Sequence, residues 1–154
     1  VIQKAVEIGV KKIVLFTSSN TIVKLDEKGK IKRKEKLQKI ADEACKQCGR
    51  MDTVEVENIT SFDNMCKRLS ENNTVLFAYE ASSISLKGKL NDIKKREHTN
   101  IGIIVGAEGG FTTKEAQKLE NIDNVECISL GSRILRAETA ALNLLSIVLY
   151  EMEE

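Results

Sequence analysis

IGIIVGAEGGFTTKEAQKLENIDNVECISLGSRILRAETAA, residues 101–141, holds two apolar runs, 101–105 and 125–130, each ending in a glycine-bearing turn and then a helix-like segment. Runs of this length are too short for helices and suit strands buried in a parallel sheet. In such sheets ligands bind beyond the carboxyl ends of the strands, where glycine lets the main chain come close and helix N-termini present N–H groups. The turns 106–110 and 130–136 are therefore candidate walls of a site, and the turn 78–81, at the end of the apolar run 74–79, is a third. Thr112 followed three residues later by Glu115 reads as a capping box for a helix reaching Glu120. From Ala137 to Met152, apolar residues at Ala140, Ala141, Leu144, Leu145, Val148 and Leu149 form a helical stripe.

Upstream, residues 2–8 read as a short helix stopped by Gly9, and residues 12–17 as a buried strand. Asp26-Glu27-Lys28-Gly29 reads as a turn within an exposed basic hairpin or loop spanning 21–34. Leu37, Ile40, Ala41, Ala44, Cys45 and Cys48 predict an amphipathic helix over 34–48, ended by Gly49. A weak strand at 54–56 precedes a helix capped by Ser61, with Phe62, Met65, Cys66 and Leu69 on its core face. Residues 87–100 show little periodicity and read as surface, with Lys94-Lys95-Arg96 adding to a basic patch and His98 an exposed loop residue. About five strands thus alternate with about five helices, which implies one α/β domain over 1–154, a parallel sheet covered by helices on both faces.

Composition bounds the function. No apolar run approaches the roughly 20 residues of a membrane span, and residues 1–10 lack a signal peptide's pattern, so the expected location is cytoplasmic, without a membrane partner. The net charge of +1 conceals an asymmetry: residues 1–50 carry 13 Lys and Arg against 6 Asp and Glu, whereas the remainder is acidic. Such a basic half is either a solvated face or the footprint of a polyanion site. The four cysteines show no repeated ligand spacing, so no metal is expected, and Cys45 and Cys48 read as core-facing thiols. GAEGG is not the G-x-G-x-x-G of dinucleotide sites, and no Walker loop or G-x-S-x-G elbow occurs.

Taken together, Gln3-Lys4-Ala5-Val6-Glu7-Ile8-Gly9-Val10, Lys46-Gln47-Cys48-Gly49-Arg50, GAEGGF at 106–111 and LGSRILRAETA at 130–140 resemble, in order, motifs of the RsmE family. These are ribosomal RNA small-subunit methyltransferases of the SPOUT superfamily. Ala107 stands where the family has proline, and Asn20 where members often have arginine. The resemblance implies a SPOUT-type fold with a C-terminal deep trefoil knot, a homodimer, and S-adenosylmethionine bound in the knot. The implied cofactor-binding residues are Phe77, Ala78, Tyr79 and Glu80; Gly106, Glu108 and Gly109; and Leu130, Gly131, Ile134 and Leu135. The implied reaction is methylation of N3 of a uridine in small-subunit (16S) ribosomal RNA. Uracil N3 is protonated at neutral pH, so a group must accept that proton and a cation should steady the charge spread onto the uracil oxygens. Arg136 is assigned the second task, and Glu138 or Glu108 the first. The family's N-terminal PUA-like RNA-binding domain has no counterpart in the chain, which opens at Val1 within a helical pattern. The alternatives are a non-catalytic RNA-binding domain of the same fold, a SPOUT methyltransferase acting on another RNA site, and a small-molecule enzyme with phosphate at the helix following Gly110.

Overall fold

The computed structural model describes residues 1–96 and 100–152, so His98 lies outside the described residues. In chain order the elements are α1 (Ile2–Ile8), β1 (Lys12–Ile13), β2 (Phe16–Thr17), α2 (Glu27–Gln47), β3 (Glu55–Val56), β4 (Thr60–Ser61) and α3 (Phe62–Arg68). A 3-10 turn (Leu69–Glu71) leads to β5 (Thr74–Ala78), α4 (Leu86–Ile93), β6 (Ile101–Ile104), α5 (Thr113–Glu120), β7 (Val125–Ile128) and α6 (Ala137–Met152).

β5 is the centre of a three-stranded parallel sheet, with Leu76 opposite Ile103 of β6 on one side and Glu126 of β7 on the other. Its side chains alternate between two cores, as the period of a strand requires. Val75 and Phe77 pack with Met65, Leu69 and Leu119 from α3, the 3-10 turn and α5. Leu76 packs on the opposite face with Leu86, Leu90 and Ile93 of α4 and Leu144 and Val148 of α6. Helices therefore cover both faces, as the apolar runs predict.

The N-terminal half adds two short parallel pairs, β1 with β3 and β2 with β4. Ile13 is opposite Val56 but Phe16 is opposite Thr60, so the segment joining β3 to β4 carries one residue more than that joining β1 to β2, as a bulge does. The predicted continuous strand over 12–17 is broken there. Glu57 N–H still donates to Ile13 O at 2.9 Å, and the Glu57 carboxylate accepts from both Arg68 Nη atoms and pairs with Lys12 Nζ at 3.0 Å. A third core, built from Val6, Ala41, Ala44, Cys45, Val54 and Val56, joins α1, α2 and β3. Arg50 closes it: Nη1 donates to Val6 O and Val10 O, each at 2.9 Å, while its other face meets Asp52. The Arg50 and Gln3-to-Val10 motifs are thus parts of one clasp at the end of α1.

Three expectations need correction. Asp26 does not open a hairpin: its Oδ1 accepts from Gly29 N at 2.8 Å and starts a 21-residue helix at Glu27, well before residue 34. Acidic and glycine residues favour turns and helix starts alike, so composition did not separate the two. Residues 86–93 form α4, whose Leu86, Leu90 and Ile93 share one buried face beneath a coat of lysines. Its Lys94 pairs with Glu151, Lys95 with Asp92, and Arg96 Nη1 donates to Thr74 Oγ1 at 2.9 Å, so these cations are engaged within the protein. Cys45 is buried, but Cys48, at the C-cap just past the end of α2, is exposed.

Hydrogen bonds from Arg68, opposed by partial burial, hold the Glu57 carboxyl at about 2, below its ordinary 4.5. A depressed folded-state value stabilises the fold above the unfolded value, and that contribution is lost as pH falls toward the folded one. Urea unfolding should show stability declining between about pH 4.5 and 2, with Glu57→Gln giving a flatter decline over that window.

Candidate functional site

β5, β6 and β7 all run in the same direction, so the turns at their carboxyl ends emerge together. Those turns enclose a cavity of about 580 Å³, within the range of small-molecule sites. The first turn contributes Ala78, Tyr79 and Glu80, the second residues 105–111, and the third residues 129–137, with Ala140 of α6. Of the residues that the resemblance assigns to cofactor, all but Phe77 line it. Phe77 is fully buried behind the wall, its ring 5.3 Å from Tyr79 and edge-on to Phe111 at 5.2 Å. Arg136 and Glu108 line the cavity and are exposed to solvent. Glu138 sits half-exposed in the first turn of α6, outside the lining. Among the described residues neither Arg133 nor Arg136 forms an ion pair, which leaves two cations at the mouth available to a ligand.

Close packing dictates glycine in the second turn. A Cβ on Gly106 would lie 2.9 Å from Phe111 Cε2, and one on Gly109 would lie 3.0 Å from Asn20 Cβ. In the third turn Gly131 has φ +111, a conformation L side chains rarely adopt. A Cβ there would meet nothing within 4 Å, so the main chain faces open cavity. Bared main chain at Gly131 between apolar and polar walls, with cations at the rim, suits a cofactor having both an apolar body and polar groups.

The second turn is held from outside by a segment distant in sequence. Asn20 Nδ2 donates to Gly109 O at 2.8 Å, and Ser19 donates to Glu115 Oε1 from its N–H at 2.8 Å and its hydroxyl at 3.0 Å. The other oxygen of that carboxylate accepts from Thr112 N at 2.9 Å and Thr112 Oγ1 at 3.0 Å, completing the predicted capping box. Burial pushes the Glu115 carboxyl up, but the bonds from Ser19 and Thr112 outweigh it and hold the group below its ordinary value. The contacts of Ser19 and Asn20 were not legible in the sequence: Asn20 stood out only as a departure from the family's arginine, and the run of small polar residues, SSNT, has no periodicity of its own.

The fold and site define an α/β protein whose three parallel-strand turns converge on one small-molecule cavity. Residues 1–149 match the family described as RNA methyltransferase domain, and the chain belongs to that family. It is 35% identical over 158 residues to the ribosomal RNA small subunit methyltransferase E of Bacillus subtilis, covering 99% of this chain and 60% of that one. It is 36% identical over 143 residues to the protein of that name from Buchnera aphidicola, covering 91% and 53%. A crystal structure of a ribosomal RNA small subunit methyltransferase E from Neisseria gonorrhoeae, bound to S-adenosyl methionine, matches with a TM-score of 0.81 at 30% identity, covering 97% of this chain and 58% of that one. The family resemblance carried by the four motifs therefore holds, and the chain spans little more than half the length of these relatives.

Replacing Glu115 by alanine leaves the partly buried donors of Ser19 and Thr112 without their acceptor, and should cost about 1–3 kcal/mol in urea unfolding at neutral pH. The wild-type advantage should shrink on acidification below about pH 4.5, because a carboxyl held below its unfolded value stabilises only while it stays ionised.

Proposed function

We propose that this chain is the catalytic domain, spanning residues 1–154, of an S-adenosylmethionine-dependent methyltransferase acting on N3 of a uridine in small-subunit ribosomal RNA. The observation that carries the reading is the convergence of three strand-end turns, two of them bearing family motifs, on one cavity of about 580 Å³. Membership in the RNA methyltransferase domain family and the names of the relatives point the same way. The reading includes the SPOUT trefoil knot, a homodimer and a cytoplasmic location, where ribosomal RNA is found.

The bound cofactor would supply an electrophilic methyl group on a sulfonium centre. The chain's task is then alignment, because holding nucleophile, methyl and leaving sulfur in line removes much of the entropic barrier. Main chain at Gly106, Gly109, Leu130 and Gly131, flanked by Ala78, Tyr79, Glu80, Ile134 and Leu135, would hold adenosine and methionine. The Arg136 guanidinium, unpaired among the described residues, would steady negative charge on the uracil oxygens once N3 loses its proton. For the proton acceptor, Glu108 is better placed than Glu138, because it lines the cavity.

Calorimetric titration should show S-adenosylmethionine binding, and ribosomal RNA from cells lacking the gene should lose N3-methyluridine by nucleoside mass spectrometry. Arg136→Ala should lower methyl transfer by about 100-fold while leaving cofactor affinity within roughly twofold. Full activity in that variant removes Arg136 from the chemistry, and an unchanged nucleoside profile removes the proposed substrate.

A further inference from the structure

Much of the excess positive charge of the N-terminal half sits on one segment whose cations are mostly unpaired among the described residues. Residues 24–39 carry eight Lys and Arg against three acidic residues. Among the described residues only Lys30 of these cations forms an ion pair, with Glu27 at 2.8 Å. Elsewhere in the fold cations are commonly engaged, as Lys12, Arg50, Arg68 and Lys118 are.

Beside this charge lies a second cavity, of about 370 Å³. Its walls are apolar, from Leu15, Phe16, Val23, Leu25, Leu37 and Ile59. Lys30 and Arg33 also line it, one helical turn apart, on the face of α2 that carries Leu37. The cavity adjoins the candidate cofactor site. Phe16 lines the second cavity and Phe111 the first, and their rings stack 6.2 Å apart at an interplanar angle of 10°. Thr21 lines the second cavity, and its neighbour Asn20 holds Gly109 in the first.

We propose that this second cavity docks single-stranded RNA flanking the methylated nucleotide, with a base inserted among the apolar walls and phosphates held by Lys30, Arg33 and neighbouring cations of α2. The proposal rests on the RNA methyltransferase reading and adds a subsite to it. The chemistry selects this occupant. An apolar recess rimmed by cations matches a nucleotide, apolar on its ring faces and anionic at its phosphate. A double helix keeps its bases stacked and has none to insert. A protein partner fits less well, because interface cores are depleted in charge and lysine, whereas here Arg33, unpaired among the described residues, and Lys30 line the recess itself. A strand seated there runs past the turn at Ser19 and Asn20 toward the cavity that holds Arg136 and Glu108.

The test is fluorescence anisotropy of a short labelled oligouridylate with the whole chain, over a range of salt concentrations. Wild type should bind with an affinity that falls as salt rises, and Arg33→Ala should reduce the slope of log affinity against log salt by about 0.7. The double variant Lys30→Glu, Arg33→Glu should weaken binding by more than about tenfold, and Lys67→Glu, on exposed α3 surface, by less than about threefold. Val23→Trp, which fills the recess from an exposed position, should weaken binding by about tenfold with the salt slope unchanged, as expected for a displaced base. Circular dichroism and S-adenosylmethionine titration should be the same in all these variants as in wild type.

Absence of oligouridylate binding, equal affinity of wild type and the cavity variants, or an equal effect of Lys67→Glu overturns the proposal. If S-adenosylmethionine fails to bind while the RNA variants behave as expected, the methyltransferase reading falls and the docking site stands.

Discussion

A single buried carboxylate ties the candidate site together. Glu115 accepts four hydrogen bonds, two from Ser19 and two from Thr112. One pair fixes the start of α5, and the other fastens the segment after β2 to the same point. Asn20, next in sequence, then reaches Gly109. The glycine turn after β6 is therefore held between its own helix and a piece of chain about ninety residues earlier, as the sequence separations of 89 and 96 record. An ionised carboxylate tolerates burial only when its oxygens are satisfied, and four donors meet that condition.

Aromatic packing does for the cavity walls what Glu115 does for the turn. Phe111 stacks on Phe16, meets Phe77 edge-on and lies 6.0 Å from Phe62. Its ring also occupies the space that forbids a side chain on Gly106. The GAEGGF motif is thus self-consistent: its first glycine makes room for its last residue, and that residue anchors the turn to two strands and a helix. The same ring pair forms the partition between the two cavities, so their separation depends on a few aromatic contacts.

Charge is distributed by a similar division of labour. Around β1, β3 and α3, Lys12 and Arg68 are committed to one carboxylate, Glu57, which bridges them. Along the first half of α2, among the described residues, only Lys30 is ion-paired, with Glu27. Unpaired like charges along a helix oppose its formation, so their presence has to be outweighed by the packing of Ala41, Ala44 and Cys45 further along the same helix.

The sequence alone determined the pieces whose causes are local. The capping box at Thr112 and Glu115, the Ser61 cap and the apolar runs of β5, β6 and β7 follow from side-chain type and short spacing, and the structure has them. Of the cofactor-site candidates, the glycine turns and their neighbours were legible as motifs, and they meet in one cavity. The early start of α2 and the presence of α4 were hidden, since lysine, aspartate and glycine suit a helix surface or cap as well as a loop. What only the tertiary structure decided were relations between distant residues. Asn20 against Gly109, Arg50 against the end of α1, Phe77 behind the wall rather than in it, and a cavity beside α2 all depend on which surfaces the strand register brings together. Hydrogen-bond partners and cavity walls are chosen in space, and nothing in the spacing of SSNT along the chain could announce a carboxylate 96 residues away.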